Sequence, residues 1–182
     1  VCYAYLANGA KWKSFEPWLM NADNPSNLDQ SLLFNIENGA ISKWELATGN
    51  SSIFGAGVST TSPLVPDELS PDGLNEVMFG VIDEADTIAV TIVWGYFSVP
   101  VRFRELVEWD QMYNTNFNWS ITGDPSAMDF DNIASHEVGH AFGMGHPPDS
   151  CTEETMYRFA SFGETKKRTL NAGDIQGINN LY

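Results

Sequence analysis

"HEVGHAFGMGH", residues 136–146, decides how this sequence folds, and it contains all 3 of the chain's histidines. His136 and His140 are four residues apart, so on a helix both imidazoles project from one face, one turn apart. Gly143 follows where such a helix is expected to end, because glycine adopts a positive φ without steric cost. The reversal brings His146 back as a third ligand. Three histidines with one open position are typical of a catalytic zinc site.

Glu137 lies next to the first of these predicted ligands and projects toward the same open side of the ion. There it is positioned to act as a general base on water without being a ligand itself. The alternative, three histidines making ordinary hydrogen bonds near a helix, is disfavoured because ordinary residue frequencies seldom produce this spacing. We therefore predict one zinc ion held by His136, His140 and His146, with Glu137 as the catalytic residue.

The segment has the H-E-x-x-H-x-x-G-x-x-H signature, and the sequence therefore resembles the metzincin clan of zinc endopeptidases. Metzincins carry a methionine turn below the zinc, and "TMYR", residues 155–158, is similar to it, with Met156 in the packing position. Within the clan the chain most resembles matrixins of microbial type, through "WDQMYNTNFNW" (109–119) and "LNAGDIQGINNLY" (170–182). The resemblance implies hydrolysis of an extended polypeptide that binds along an edge strand at 89–94.

The chain departs from the matrixin pattern at several positions. Matrixins usually place two adjacent aspartates in the last helix, the first pairing with the N-terminal ammonium, whereas this chain has Gly173 and Asp174. Arg158 stands where matrixins usually have proline, which changes the wall of the S1′ pocket. No histidine remains for the family's second, structural zinc. The resemblance therefore does not extend to the ammonium pair or to a second zinc.

The rest of the sequence predicts an α+β fold. An amphipathic helix is expected after Asp29, and a closing helix is expected after Asn171. Between them the β-branched and apolar runs predict strands at 75–82, 89–97 and 104–115, after a Ser/Thr/Pro/Gly-rich connection at 51–73. We predict one metzincin-like catalytic domain over residues 1–182, with a twisted mixed sheet, two long helices, a zinc cleft and a C-terminal helix.

Composition limits the partners and the compartment. With 9 Lys and Arg against 24 Asp and Glu, the net charge of −15 argues against nucleic acid binding. The sequence contains no apolar run of the roughly 18 residues that a membrane span needs. A disulfide between Cys2 and Cys151 suits a secreted or extracytoplasmic protein, whereas two free buried thiols are the alternative. We expect a monomer.

Two questions stay open at the level of sequence. The acidic loops at 70–76, 83–86 and 123–131 either hold structural calcium, as matrixins commonly do, or are solvated turns. The predicted function is a zinc-dependent endopeptidase with Glu137 as general base. The alternatives are a catalytically silent zinc module that binds peptides and a metallohydrolase of non-peptide substrates.

Overall fold

A computed structural model describes residues 1–50 and 52–182. Ser51, the first residue of the predicted connection, lies outside the described residues. Within the described part the fold is α+β, as predicted, with a five-stranded mixed sheet, two small ribbons and three α-helices. In chain order the elements are β1 (Ala4–Tyr5), β2 (Trp18–Met20), α1 (Gln30–Thr48), β3 (Val58–Ser59), β4 (Asn75–Gly80), β5 (Ala89–Tyr96), β6 (Glu105–Asn114), β7 (Trp119–Ser120), β8 (Met128–Asp129), α2 (Phe130–Ala141), β9 (Met144–Gly145) and α3 (Ala172–Leu181).

The main sheet has the strand order β3-β2-β4-β6-β5. Its first four strands run parallel, and β5 is antiparallel to β6. The three strands predicted from apolar and β-branched runs are confirmed as β4, β5 and β6, whereas the two-residue β3 was missed inside the predicted connection. Because β5 pairs only with β6 in this sheet, its outer edge is free to pair with another extended segment.

The two long helices pack on each other and on the sheet. Asp29 begins α1, its carboxylate accepting a hydrogen bond from the Leu32 amide at 2.9 Å. Trp44 of α1 is fully buried and stacks on Phe142, and its indole N–H donates to the Ser135 carbonyl at 2.8 Å. This contact fixes α2, which carries the histidine signature, against α1. Among the described residues no helix combines the length and apolarity needed to cross a bilayer.

The N-terminal segment is fastened to the chain that follows α2. Strand β1 pairs antiparallel with β9, and the structure contains a disulfide between Cys2 and Cys151 with a Cα–Cα distance of 5.5 Å. Gly173 in α3 packs so tightly against Cys2 that an added Cβ would clash with the Cys2 carbonyl. Gly173 therefore allows the N-terminal backbone to approach α3 at the position where matrixins usually have an aspartate.

A buried acid lies between α1 and the sheet. Glu37 is 0% exposed and accepts hydrogen bonds from the Gln111 amide at 2.9 Å and the Tyr113 hydroxyl at 2.6 Å. Burial raises the pKa of Glu37 from 4.5 to about 8. Between these two values the folded protein retains a proton that the unfolded chain has lost. The free energy of unfolding therefore contains a contribution that falls as pH rises through this window.

We expect Glu37→Gln to flatten this pH dependence, because the amide does not titrate. Between about pH 5 and 8 the free energy of unfolding should fall less steeply than in the parent, by up to about 1.4 kcal/mol per pH unit. Urea denaturation at several pH values measures the slope. The exposed Glu84 provides the control, and Glu84→Gln should keep the parent's slope. Identical slopes for Glu37→Gln and the parent would contradict the prediction.

Candidate metal centre

The three histidines converge at one end of α2. His136 and His140 lie one turn apart on the helix, which ends before Gly143, whose φ of +94° turns the chain back through β9 to His146. The Nε2 atom of His146 lies 3.1 Å from Nε2 of His136 and 3.1 Å from Nε2 of His140. The predicted ligands therefore offer three nitrogen atoms to a single point.

The hydrogen bonds of the imidazoles fit a metal ion at that point. His136 Nδ1 donates to the Thr155 carbonyl at 2.7 Å, and His140 Nδ1 donates to the Met144 carbonyl at 2.8 Å. A carbonyl only accepts, so both protons are on Nδ1 and both Nε2 atoms carry lone pairs. Lone pairs facing each other repel unless a cation lies between them. Ligands about 2.05 Å from a tetrahedral zinc are about 3.3 Å apart, close to the observed spacing.

Burial also keeps these side chains in the neutral form that binds metals. Desolvation lowers the pKa of His140 and of His146 to about 4, and it lowers the pKa of His136 well below its usual value. Zinc requires neutral imidazole, so protons do not compete strongly for these nitrogens at neutral pH.

Met156 lies directly beneath the histidine helix. It is fully buried, and its sulfur packs on Gly139, where an added Cβ would clash with it. Asp174 holds this turn from below, its carboxylate accepting hydrogen bonds from the amides of Thr155 at 2.7 Å and Met156 at 3.1 Å. Because the carbonyl of Thr155 in turn accepts from His136, α3 orients this predicted ligand through the methionine turn.

Glu137 faces the same cleft as the histidines. Its side chain is 6% exposed, and Oε2 accepts a hydrogen bond from the Thr91 hydroxyl of β5 at 2.7 Å. Burial raises the pKa of Glu137 to about 7, an effect opposed by the Thr91 hydrogen bond and by the charge of Lys167. A carboxylate with a pKa near neutrality is suited to accept and return a proton.

The cleft has a volume of about 460 Å³. One side is formed by β5 from Ala89 to Thr91, next to the free edge of the sheet. The other side is the chain after the methionine turn, where Phe159 is 57% exposed. A groove between a free strand edge and a wall is shaped for an extended peptide.

Two cations line this wall. Lys167 is 1% exposed, and its ammonium donates to the carbonyls of Tyr157 and Phe159, which holds the wall in place. Desolvation lowers the pKa of Lys167 to about 8. Arg158, at the position where matrixins usually have proline, pairs with Asp149 at 2.5 Å. The guanidinium lies at the rim of the cleft, where the charge of Asp149 offsets its own.

Sequence reasoning missed three residues that organise the site. Thr91 had a usable signal, since it is the one hydroxyl side chain in the apolar run 89–94. The sequence contains no sign that Lys167 is buried, because this lysine lies in a basic run that is typical of a solvated surface. Asp174 was considered only as one of the two positions where matrixins usually have adjacent aspartates. Its hydrogen bonds to the methionine turn join residues 18 and 19 positions apart, so the sequence gives no local sign of them.

Together, the fold and the site define a class of protein: an α+β domain with the metzincin signature and three histidines converging in a cleft beside an edge strand. Residues 77–182, more than half of the chain, match the family model for the matrixins of peptidase family M10. The chain belongs to the matrixin family, whose members are zinc-dependent peptidases.

Individual relatives match over shorter stretches. The chain is 36% identical over 72 residues to metalloendoproteinase 2-MMP of Arabidopsis thaliana, which is 36% of this chain and 18% of that protein. It is 33% identical over 73 residues to human matrilysin, covering 40% of this chain and 26% of matrilysin. Identity to metalloendoproteinase 1 of Glycine max is 37% over 70 residues, or 35% of this chain and 22% of that protein. Each match thus spans about a quarter of the relative's length or less.

Proposed function

We propose that this chain is the catalytic domain of a zinc-dependent endopeptidase, in which His136, His140 and His146 hold the ion and Glu137 is the general base. The observation that carries the proposal is the convergence of the three Nε2 atoms beside a buried carboxylate in one cleft. Membership of the matrixin family and the names of the matched metalloendoproteinases support it. A bound zinc ion supplies a Lewis acid that polarises a peptide carbonyl and acidifies water.

The chain's own residues perform the remaining steps. The free edge of β5 binds the substrate as an added strand, which orients the scissile peptide across the cleft. Glu137 accepts a proton from the attacking water and returns it to the nitrogen of the leaving amine. The wall held by Lys167 forms the far side of the pocket for the substrate side chain that follows the scissile bond.

The test combines zinc content with cleavage of a broad peptide library. We expect one zinc per chain and cleavage that is lost with a zinc chelator and restored by zinc. His146→Ala is the matched variant: this histidine lies outside α2 and is the most exposed of the three, so the helix should stay intact while zinc content and cleavage fall together.

The two alternatives give different results. Full zinc content without cleavage of any peptide would favour a silent module that binds peptides. Hydrolysis of small esters or amides without cleavage of polypeptides would favour a metallohydrolase of other substrates. Either outcome would overturn the proposed endopeptidase.

We further propose a structural cation site, for which calcium is the best candidate, at Asp67, Glu108 and Asp110. Their carboxylate oxygens lie within 4.8 Å of one another, and Glu108 and Asp110 are each 1% exposed. Asp67 Oδ2 and Glu108 Oε1 are buried with no hydrogen-bond partner in the described part of the chain. Desolvation raises the pKa of Glu108 to about 7. Hard cations take such all-oxygen sites.

None of these three residues lies in the acidic loops named from the sequence, and only the first of those loops comes close to them. Glu76 in the first loop neighbours Asp110 across β4 and β6. In the third loop, by contrast, Asp129 pairs with Arg168 and Asp131 pairs with Lys43, both at 2.5 Å. Those two carboxylates are neutralised within the protein, which argues against a cation bound at Asp129 and Asp131.

Calcium should raise the melting temperature. With zinc supplied throughout, calcium at about 100 times its Kd should raise the melting temperature by about 5–10 °C above that of the calcium-depleted protein. Glu108→Gln should abolish most of this shift, whereas Glu84→Gln should retain it. A parent that melts at the same temperature with and without calcium would contradict the proposed cation site.

We also propose that residues 1–182 act as one domain outside the cytoplasm. The disulfide between Cys2 and Cys151 supports an oxidising compartment. A thiol assay on the protein secreted by its host should detect no free thiol before reduction. The monomeric state stays a prediction, for which sedimentation equilibrium is the measurement.

A further inference from the structure

We propose that Thr91 is a positioning residue for the general base: its hydroxyl holds Oε2 of Glu137 and leaves Oε1 for the attacking water. The inference rests on the proposed endopeptidase function. It assigns to β5 a second task besides binding substrate. No acid–base role is given to Thr91 itself.

The geometry assigns the hydroxyl proton to the carboxylate. Thr91 Oγ1 lies 2.7 Å from Glu137 Oε2 and 3.2 Å from the Glu137 carbonyl oxygen. A hydroxyl has one proton, and a hydrogen bond to a charged oxygen is shorter and stronger than one to a neutral oxygen. The carboxylate is therefore the preferred acceptor, and the carbonyl is a secondary contact.

The carboxylate has no competing partner among the described residues. Oε2 accepts only the Thr91 hydroxyl, and Oε1 accepts no hydrogen bond from the protein within the described part of the chain. The side chain of Glu137 has three rotatable bonds and is anchored at its backbone by α2. Without the hydroxyl, the carboxylate would be free to turn in a cleft whose nearest wall is the apolar side of β5.

Thr91 is well suited to hold a neighbour in place. It is β-branched, so its χ1 angle is restricted, and it is the third residue of an eight-residue strand. Strand β5 is paired along its length with β6, with Thr91 opposite Gln111. The hydroxyl thus projects from a rigid element, and the orientation of Glu137 follows from that of the strand.

This arrangement places substrate binding and the orientation of the general base on the same strand. Ala89, Val90 and Thr91 line the cleft on the edge strand where an extended substrate would bind. The same strand, through one hydroxyl, orients the group that would take the proton. A small shift of β5 would therefore change the direction of the carboxylate as well as the register of the substrate.

The test compares Thr91→Val, which has nearly the same shape, with Thr91→Ser, which keeps the hydroxyl. We expect Thr91→Val to lower kcat about 10- to 100-fold, the effect of losing one hydrogen bond to a charged group, with KM and zinc content close to those of the parent. Thr91→Ser should recover most of the activity. Thr115→Val, outside the cleft, is the control for a threonine-to-valine change and should keep the parent's kcat.

A double-variant cycle with Glu137→Gln tests whether Thr91 acts through Glu137. In that background Thr91→Val should have little further effect on residual kcat. Combined instead with Glu137→Ala, which removes the acceptor oxygen, Thr91→Val should shift the melting temperature non-additively. Equal losses in both backgrounds, or a Thr91→Val enzyme as fast as the parent, would overturn the inference. A parent that holds zinc but cleaves no peptide would overturn the proposed function, and the positioning role of Thr91 with it. Additive melting shifts would contradict only the contact between Thr91 and Glu137.

Discussion

Replacing Glu137 with glutamine is expected to lower kcat/KM for peptide hydrolysis by about 10²- to 10⁴-fold, the typical contribution of a positioned general base. Glutamine has nearly the same volume and can keep the hydrogen bond from Thr91, but its amide oxygen cannot take a proton from water at neutral pH. Because Glu137 is not one of the converging nitrogen donors, the affinity for zinc should change little. The measurement is steady-state cleavage of the best peptide from the library.

Zinc content and a second glutamate variant are the controls for this experiment. Glu137→Gln should bind one zinc per chain, as the parent does, and should melt within a few degrees of it. Glu84→Gln, on an exposed loop, should retain the parent's kcat/KM. A Glu137→Gln protein that holds zinc and cleaves at the parent's rate would show that another group serves as the base.

Removing the disulfide should produce the largest loss of stability. In Cys2→Ser/Cys151→Ser the cross-link over a sequence separation of 149 residues is lost, and the unfolded chain gains conformational freedom. We expect the free energy of unfolding to fall by about 2–5 kcal/mol, with the upper value given by the entropy of so long a loop. Urea denaturation with zinc held constant measures the change.

The same double substitution should weaken the metal centre. The N-terminal segment is held at Cys2 by the disulfide and at β1 by pairing with β9, directly before His146. Releasing Cys2 loosens β1, and the loop that carries the third ligand should become less ordered. We expect zinc to dissociate faster from the double variant than from the parent, as measured by transfer to a colorimetric chelator.

Reductant provides the matched control. Reducing the parent should reproduce the stability and the zinc release of the double variant, which should itself be insensitive to reductant. Equal urea midpoints for the parent and the double variant would contradict the predicted stabilisation. A lower midpoint with unchanged zinc release would restrict the role of the disulfide to global stability.

Local patterns explain why so much of the architecture was predictable. The helix after Asp29 and the helix after Asn171 begin where capping residues precede apolar spacing of 3.6, and the structure has both. The runs that became β4, β5 and β6 are rich in β-branched and aromatic residues. Strand order and the parallel direction of β2, β3, β4 and β6 depend on distant pairings, for which the sequence shows no local signal.

The candidate sites also contain residues that local sequence predicts and residues that only the fold brings together. The spacing of His136, His140 and His146 is a local property, because helix geometry and one turn at Gly143 bring all three together. The acidic cluster was not predictable in this way. Asp67 comes from a loop, and Glu108 and Asp110 come from one face of β6 more than 40 residues later. Only the folded sheet makes them neighbours.

The sequence by itself predicted the three histidines that converge, the position of Glu137 next to the first of them, and the elements that carry these residues. It could do so because a helix repeats every 3.6 residues and a glycine permits the reversal. The tertiary structure alone decided what surrounds Glu137 and His136: the Thr91 hydroxyl on β5, and the methionine turn held by Asp174. These contacts join segments 19 to 46 residues apart, and no local pattern encodes them. Burial at the same place raises the pKa of Glu137 and lowers that of His136.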